Sequence, residues 1–246
     1  MIVYTVMNTR SLSSLLTFIL ISAACSLSAQ NKTLSAQNKT LKLGIKGGLN
    51  LSYLSIGKTG VPCSKLLPGI NAGITATYGM GSHFSLQSGL SFSTKGGKIT
   101  GQGPLGFDGQ VVTGRQAVLK SSQMYLQLPV YALYSIKLSS GKGLVLSAGP
   151  YVAQGIGGNT TLSGFLIYGD MIVNEDIQES TFSSRGLKKF DYGVGGGVAF
   201  DLGEYILGVN YELGLKDIGP DKLTYMPFYN SSYKNRNLSL SLEYRF

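Results

Sequence analysis

Apolar and polar residues alternate along most of this chain. The alternation is most regular at Asn237-Leu238-Ser239-Leu240-Ser241-Leu242-Glu243-Tyr244-Arg245-Phe246. A period of two puts Leu238, Leu240, Leu242, Tyr244 and Phe246 on one face of a strand and the polar residues on the other. A closing strand with an aromatic tip fits a membrane β-barrel, in which the last strand pairs with the first and aromatics sit in interfacial girdles.

The same period predicts seven earlier strands, at about 41–53, 69–78, 84–93, 123–136, 144–154, 190–200 and 205–215. Short connections (79–83, 139–143, 201–204) alternate with long ones, notably 95–120, 155–188 and 216–235. The expected fold is all-β: an eight-stranded antiparallel up-and-down transmembrane β-barrel with short periplasmic turns and long extracellular loops. A soluble barrel would face water with charged residues. Here the polar faces are mostly Gly, Ser, Asn and Gln.

Composition agrees. Of 246 residues only 13% are charged, 34 are Gly, and Tyr and Phe are abundant (15 and 10) while Trp is absent. These suit strands with lipid on one side and a crowded interior on the other. The formal charge is +9. Lys and Arg are scattered rather than clustered with aromatics, which argues against nucleic acid. A solvated basic surface is the plainer explanation, and binding to anionic lipid or lipopolysaccharide the functional one.

Before the barrel, residues 1–29 read as a signal peptide, with Arg10 ahead of the apolar run Leu12–Ala24 and a small residue at Ala29. Residues 30–40 read as a periplasmic linker, part of a tandem Leu-Ser-Ala-Gln-Asn-Lys-Thr repeat. The barrel is expected over 41–246.

Four landmarks recur in order: Tyr125-Leu126-Gln127-Leu128-Pro129-Val130, Gly149-Pro150-Tyr151-Val152, Phe190-Asp191-Tyr192-Gly193 and Gly214-Leu215-Lys216-Asp217-Ile218. In these the chain resembles the PorT-like outer-membrane β-barrel proteins of Bacteroidetes. The resemblance implies an outer-membrane location and a link to protein secretion. That family commonly has Glu where Gln127 stands and a basic residue near Asn210, so an interior pair there would be lost or replaced.

Catalytic constellations are missing. His83, the sole His, falls in an expected periplasmic turn without a nucleophile or orienting acid. Cys63 falls on the first outer loop, and alone it builds neither an internal disulfide nor a metal site. Gly101-Gln102-Gly103-Pro104-Leu105-Gly106 matches a dinucleotide pattern only in letters, since it contains Pro and precedes no helix pattern. The chain is expected not to be an enzyme and to need no cofactor or metal.

The barrel interior is the remaining candidate site. Strand parity places Lys42, Lys46, Gln127, Asn210, Glu243 and Arg245 inside, with Lys42–Glu243 the first expected ion pair, since buried charges must be paired or wet. Asp191 and Glu212 fall toward the outer end. They are expected to be satisfied by Lys188, Lys189 or Lys216, with a cation between them as the alternative. Expected partners are outer-membrane lipid or lipopolysaccharide, the β-barrel assembly machinery through the C-terminal strand, and secretion-system proteins. The function so implied is a structural or partner-docking barrel linked to secretion or envelope assembly. The alternative is a narrow pore or a small-ligand or lipopolysaccharide-binding barrel.

Overall fold

The computed structural model describes residues 40–57, 64–102, 116–138, 142–168, 171–183, 186–220 and 232–246. The expected signal peptide, the linker up to residue 39 and Cys63 lie outside them. Leu41–Phe246 forms one compact unit.

Ten strands are present: β1 (Leu41–Ile56), β2 (Leu67–Gly79), β3 (Phe84–Gln102), β4 (Gln116–Lys137), β5 (Gly143–Gly157), β6 (Asn159–Tyr168), β7 (Met171–Ser180), β8 (Phe190–Asp201), β9 (Tyr205–Gly214) and β10 (Tyr233–Arg245). Eight of them close a ring in the order β1-β2-β3-β4-β5-β8-β9-β10, completed by the β3–β4 and β1–β10 pairings. All of these pairings are antiparallel. Closure leaves no strand edge inside the ring, the condition for crossing lipid with strands. β10 pairs with β1 from Ile56↔Tyr233 to Gly44↔Arg245, and the Phe246 N–H donates to Leu43 O at 2.9 Å.

Side-chain parity follows the sequence. Leu49, Ile70, Leu128, Val209, Leu240 and Leu242 stand on the outer wall, with Leu49 64% and Leu240 49% exposed. A continuous belt of large exposed apolar residues makes sense only against lipid. Inside are Asn50, Ser52, Ser93, Gln127, Asn210, Asn237, Ser239 and Ser241, all buried. The turns after β2, β4 and β8 are short. In the last, Gly203 has φ +101° and its N–H donates to Asp201 Oδ1 at 2.9 Å.

Two expected loops are corrected. Both ends of the stretch 95–120 are strand, since β3 runs to Gln102 and β4 starts at Gln116, paired as far as Gln102↔Gln116. The stretch 155–188 contains a hairpin, β6–β7, that pairs with the outer end of β4 through Val118↔Ser163 to Ser121↔Thr160. Beyond the lipid no apolar outer face is needed, so the alternation fades there while backbone pairing continues.

Leu240 lies mid-belt. Leu240→Arg is expected to destabilise the barrel by about 2–4 kcal/mol in urea titrations in lipid vesicles, and Tyr205→Arg, at the belt's turn-end edge, by about 0–1 kcal/mol. Equal costs at the two positions would contradict the assignment of the belt.

Candidate functional site

The interior is layered along the barrel axis, and each layer follows from inward-facing positions. At the turn end Arg245 holds two carboxylates: Nε donates to Glu243 Oε1 at 3.1 Å and Nη1 to Asp201 Oδ2 at 3.3 Å. Gln87 Nε2, at 3.2 Å from both carboxylate oxygens, and Thr75 Oγ1, at 3.1 Å, complete the shell of Glu243. The expected Lys42–Glu243 pair does not form. Lys42 is exposed and sits opposite Thr77, while the register partner of Glu243 on β1 is Lys46. Arg245 wins because it shares a strand face with Glu243 two residues away and needs no bridge across the β1–β10 seam.

Above this rim are two small polar cavities of about 60 and about 50 Å³. Lys46, Gln87, Tyr131 and Asn210 border both. Each has room for a few waters. Lys46 has no ion-pair partner among the described residues.

The centre of the site is Glu212, buried on β9. Lys95 Nζ lies 2.9 Å from Oε2. Gln127 Nε2 donates to Oε1 at 2.6 Å, Asn237 Nδ2 to Oε2 at 3.3 Å and the Tyr131 hydroxyl to Oε1 at 3.5 Å. Asn210 Nδ2 donates to the Tyr131 hydroxyl at 3.5 Å. Side chains from three strands, β3, β4 and β10, thus converge on a carboxylate carried by a fourth, β9. With their N–H groups spent in this network, Gln127 Oε1, Asn210 Oδ1 and Asn237 Oδ1 accept from no donor among the described residues, and all three residues border the larger cavity. Lys95 is 1% exposed, and its ammonium also lies 4.4 Å from the ring centroid of Tyr151 and 5.8 Å from that of Tyr125. A desolvated cation over aromatic faces gains quadrupole attraction in addition to its ion pair.

The next layer outward is Asp191, Asn235, Tyr125 and Gln123, all 0–1% exposed. Asn235 Nδ2 donates to Asp191 Oδ2 at 3.0 Å and to the Tyr125 hydroxyl at 3.4 Å, and that hydroxyl donates to Gln123 Oε1 at 3.0 Å. The tyrosines fit because β8 presents glycine on its inner face. A Cβ at Gly195 would collide with the Tyr131 hydroxyl, and Tyr151 stands opposite Gly193. An apolar cap of Leu54, Ile99, Leu119, Ile218 and Tyr233 closes the outer end.

The Gly214–Ile218 landmark builds that cap. Asp217 Oδ1 accepts the N–H groups of Gly219 and Tyr233, each at 2.9 Å, and the Ile218 N–H donates to Tyr233 O at 2.9 Å. This turn drives Ile218 to full burial. Partial burial pushes the Asp217 carboxyl up, but the two backbone N–H groups, the Ser232 hydroxyl and the Lys188 charge outweigh it, holding its pKa below the usual carboxylate value.

The structure therefore gathers Gln127, Asn210 and Glu212 into one network. Glu243 and Arg245 pair at the rim, and Asp191 lies in a separate layer above. Lys95, rather than Lys188, Lys189 or Lys216, neutralises Glu212. The alternation of apolar residues does not reveal Lys95, because it fades within 95–120. The signal was present: Ser93, Lys95 and Ile99 continue the inward parity of β3. His83 is exposed in its turn, with Nδ1 2.8 Å from Ser82 Oγ and its ring stacked on Tyr134.

A family model described as "Outer membrane protein beta-barrel domain" matches residues 28–219. Among solved structures, Ail, the attachment invasion locus protein of Yersinia pestis, is similar at 16% identity, covering 83% of this chain and 98% of that chain, with a TM-score of 0.42. OprG from Pseudomonas aeruginosa is similar at 14% identity, covering 85% and 97%, with a TM-score of 0.40. Neisserial surface protein A is similar at 13% identity, covering 85% and 100%, with a TM-score of 0.36. No curated protein matches.

Two measurements follow from this interior. Lys95→Met strands a buried carboxylate and is expected to cost about 3–5 kcal/mol in urea unfolding. Adding Glu212→Gln removes the stranded charge and should recover most of that loss, whereas additive losses would contradict the pairing. The pKa of Asp217 is lowered on folding, so its contribution is present above the unfolded value of about 3.9 and lost as pH falls through the folded value. Protection of the Gly219 and Tyr233 amides, relative to their intrinsic exchange rates, is expected to hold down to about pH 4 and to fall below it. Loss of that protection already near neutral pH would contradict this role.

Proposed function

Because this chain belongs to the outer-membrane β-barrel domain family, we propose that it is an outer-membrane scaffold that docks a partner through its extracellular sheet rather than conducting or binding a small solute. The observation that carries this reading is the closed interior. Between the cavities and the outer cap lie Lys95, Gln123, Tyr125, Tyr151 and Asp191, each at most 2% exposed. The cavities, at about 60 and about 50 Å³, are far below the roughly 300–1,000 Å³ of small-molecule sites. What remains available is outside: the outer end of β4 pairs onward with the β6–β7 hairpin, whose last strand has no further neighbour among the described residues.

The resemblance to PorT-like proteins directs this docking role toward protein secretion or envelope assembly. The regular strand from Leu238 to Phe246 is the segment offered to the β-barrel assembly machinery. The reading contains no catalytic step, cofactor or metal.

The hairpin can be removed cleanly, since the Thr181 N–H already donates to Gly158 O at 3.0 Å. Excision of residues 159–180 is expected to spare the barrel, read as a mobility difference between heated and unheated protein on a gel. It should abolish the partner crosslink that the intact protein gives in mild-detergent capture from native outer membranes. A stoichiometric partner held equally without the hairpin, or no partner beyond lipid and assembly factors, would overturn docking through this sheet.

A further inference from the structure

Three lysines far apart in the sequence are brought side by side by strand register. Lys98 on β3 is the direct cross-strand partner of Lys120 on β4. On the other side of Lys98, Lys65 forms an isolated antiparallel bridge with it, Lys65 N–H to Lys98 O at 2.6 Å and Lys98 N–H to Lys65 O at 3.2 Å. Directly opposed residues in antiparallel pairs project from the same face. That face is the outer wall. Each lysine is exposed, and each has a sequence neighbour turned inward: Ile99 and Leu119 belong to the apolar cap, and Ser64 Oγ accepts the buried Leu54 N–H at 3.2 Å. At strand spacings of about 4.8 Å the three side chains span roughly 10 Å.

No described residue neutralises this row. None of the three lysines makes an ion pair among the described residues. Continuing along the row, the register places Thr161 next to Lys120 and Gln178 next to Thr161, which adds polar groups but no acid. By register the nearest described acid is Glu179, which pairs with Thr160 on the opposite side-chain parity to the row; on the row's own parity it is Asp176, paired with Ser163 two strands from Lys120 and two residues farther along the sheet. Like charges directly opposite one another across a ladder are destabilising. A row of three, with no acid beside it, is an arrangement the fold does not need and an anion would reward.

Height selects the anion. On the same face of β4 the last large lipid-facing side chain is Met124, 39% exposed, four residues before which stands Lys120. Four residues at about 3.3 Å, on strands tilted by roughly 40°, put Lys120 about 10 Å above the top of the apolar belt. Lysine stems reach down from that height to the headgroup layer, keeping the ammonium polar and the methylenes along apolar surface. Phosphate groups on a membrane-embedded glycolipid sit at this level, with acyl chains against the belt.

We propose that Lys65, Lys98 and Lys120 form a binding site for the phosphate groups of an outer-leaflet glycolipid. The site anchors one such lipid to the β3–β4 wall, and bound phosphate removes the repulsion along the row. This inference rests on the barrel's place in the outer membrane and is independent of which partner, if any, the hairpin docks.

The test uses the full-length folded protein in a neutral maltoside detergent, with diphosphoryl lipid A as probe and retained lipid read by native mass spectrometry. The triple variant Lys65→Gln, Lys98→Gln, Lys120→Gln is compared with a control of equal charge loss at the turn end, Lys42→Gln, Lys137→Gln, Lys142→Gln. Wild type and the control are expected to retain the lipid at least about tenfold more tightly than the triple variant, with a phosphate-free analogue retained weakly by all three proteins. Losing its self-repulsion, the triple variant should unfold at a temperature no lower than wild type in the lipid-free detergent. Equal retention by the triple variant and the control overturns the site. So does a heparin-like soluble polysulfate that competes fully at equal phosphate-equivalent concentration, because it would make the row a receptor for soluble polyanions. A lower unfolding temperature for the triple variant would also overturn it, since the lysines would then be holding the fold. Partner capture through the hairpin is scored separately, so failure of either idea leaves the other readable.

Discussion

A carboxylate inside a membrane barrel has lipid beyond its wall and must be settled from within. Glu212 is such a group, and the interior is arranged around it. An unpaired charge at that burial would cost several kcal/mol. Lys95 supplies the countercharge, and Gln127, Tyr131 and Asn237 supply hydrogen bonds from two other strands. These contacts join β3, β4, β9 and β10 across the lumen, where backbone pairing alone joins only neighbours. Room for them comes from the adjoining wall, where β8, paired with β9 so that Gly195 stands opposite Glu212, is glycine at each inward position from Gly193 to Gly197.

The layering has a physical order. Toward the turn end, charges and amides border cavities that admit water, so Lys46 can stay without an ion pair. At the level of Lys95 and Tyr125 the polar groups are buried, and Asp191, Asn235, Tyr125 and Gln123 are joined in one hydrogen-bonded chain. Farther out, Ile99, Ile218 and Tyr233 exclude water from above, held in place by the Asp217 turn. On the proposed reading the closed interior leaves docking to the outside of the molecule, where the strands outlast the lipid belt and carry the hairpin and the lysine row.

Legibility in the sequence followed the lipid. The closing strand was readable from Leu238 to Phe246 because lipid demands an apolar side chain at every second position. The barrel class, the ring closure and the inward parity of Gln127, Asn210 and Glu212 follow from the same demand. Where the demand stops, the pattern stops. The outer ends of β3 and β4 and the whole β6–β7 hairpin are strands held by backbone pairing with little constraint on side chains, so they read as loops. Lys95 was lost with them. The pair Lys42–Glu243 failed for another reason: parity gives the face but not the depth, and Lys42 sits at the exposed tip while Arg245 shares the strand of Glu243. The lysine row was hidden because Lys65, Lys98 and Lys120 look scattered until register aligns them.

The central claim is that the layer of Lys95, Glu212 and the tyrosines seals the barrel. Planar-bilayer recording of the folded protein tests it most directly. A sealed barrel gives no steady current beyond the bare membrane at either polarity. A stable, ohmic, ion-selective conductance from single molecules would contradict the account and make the interior a pathway.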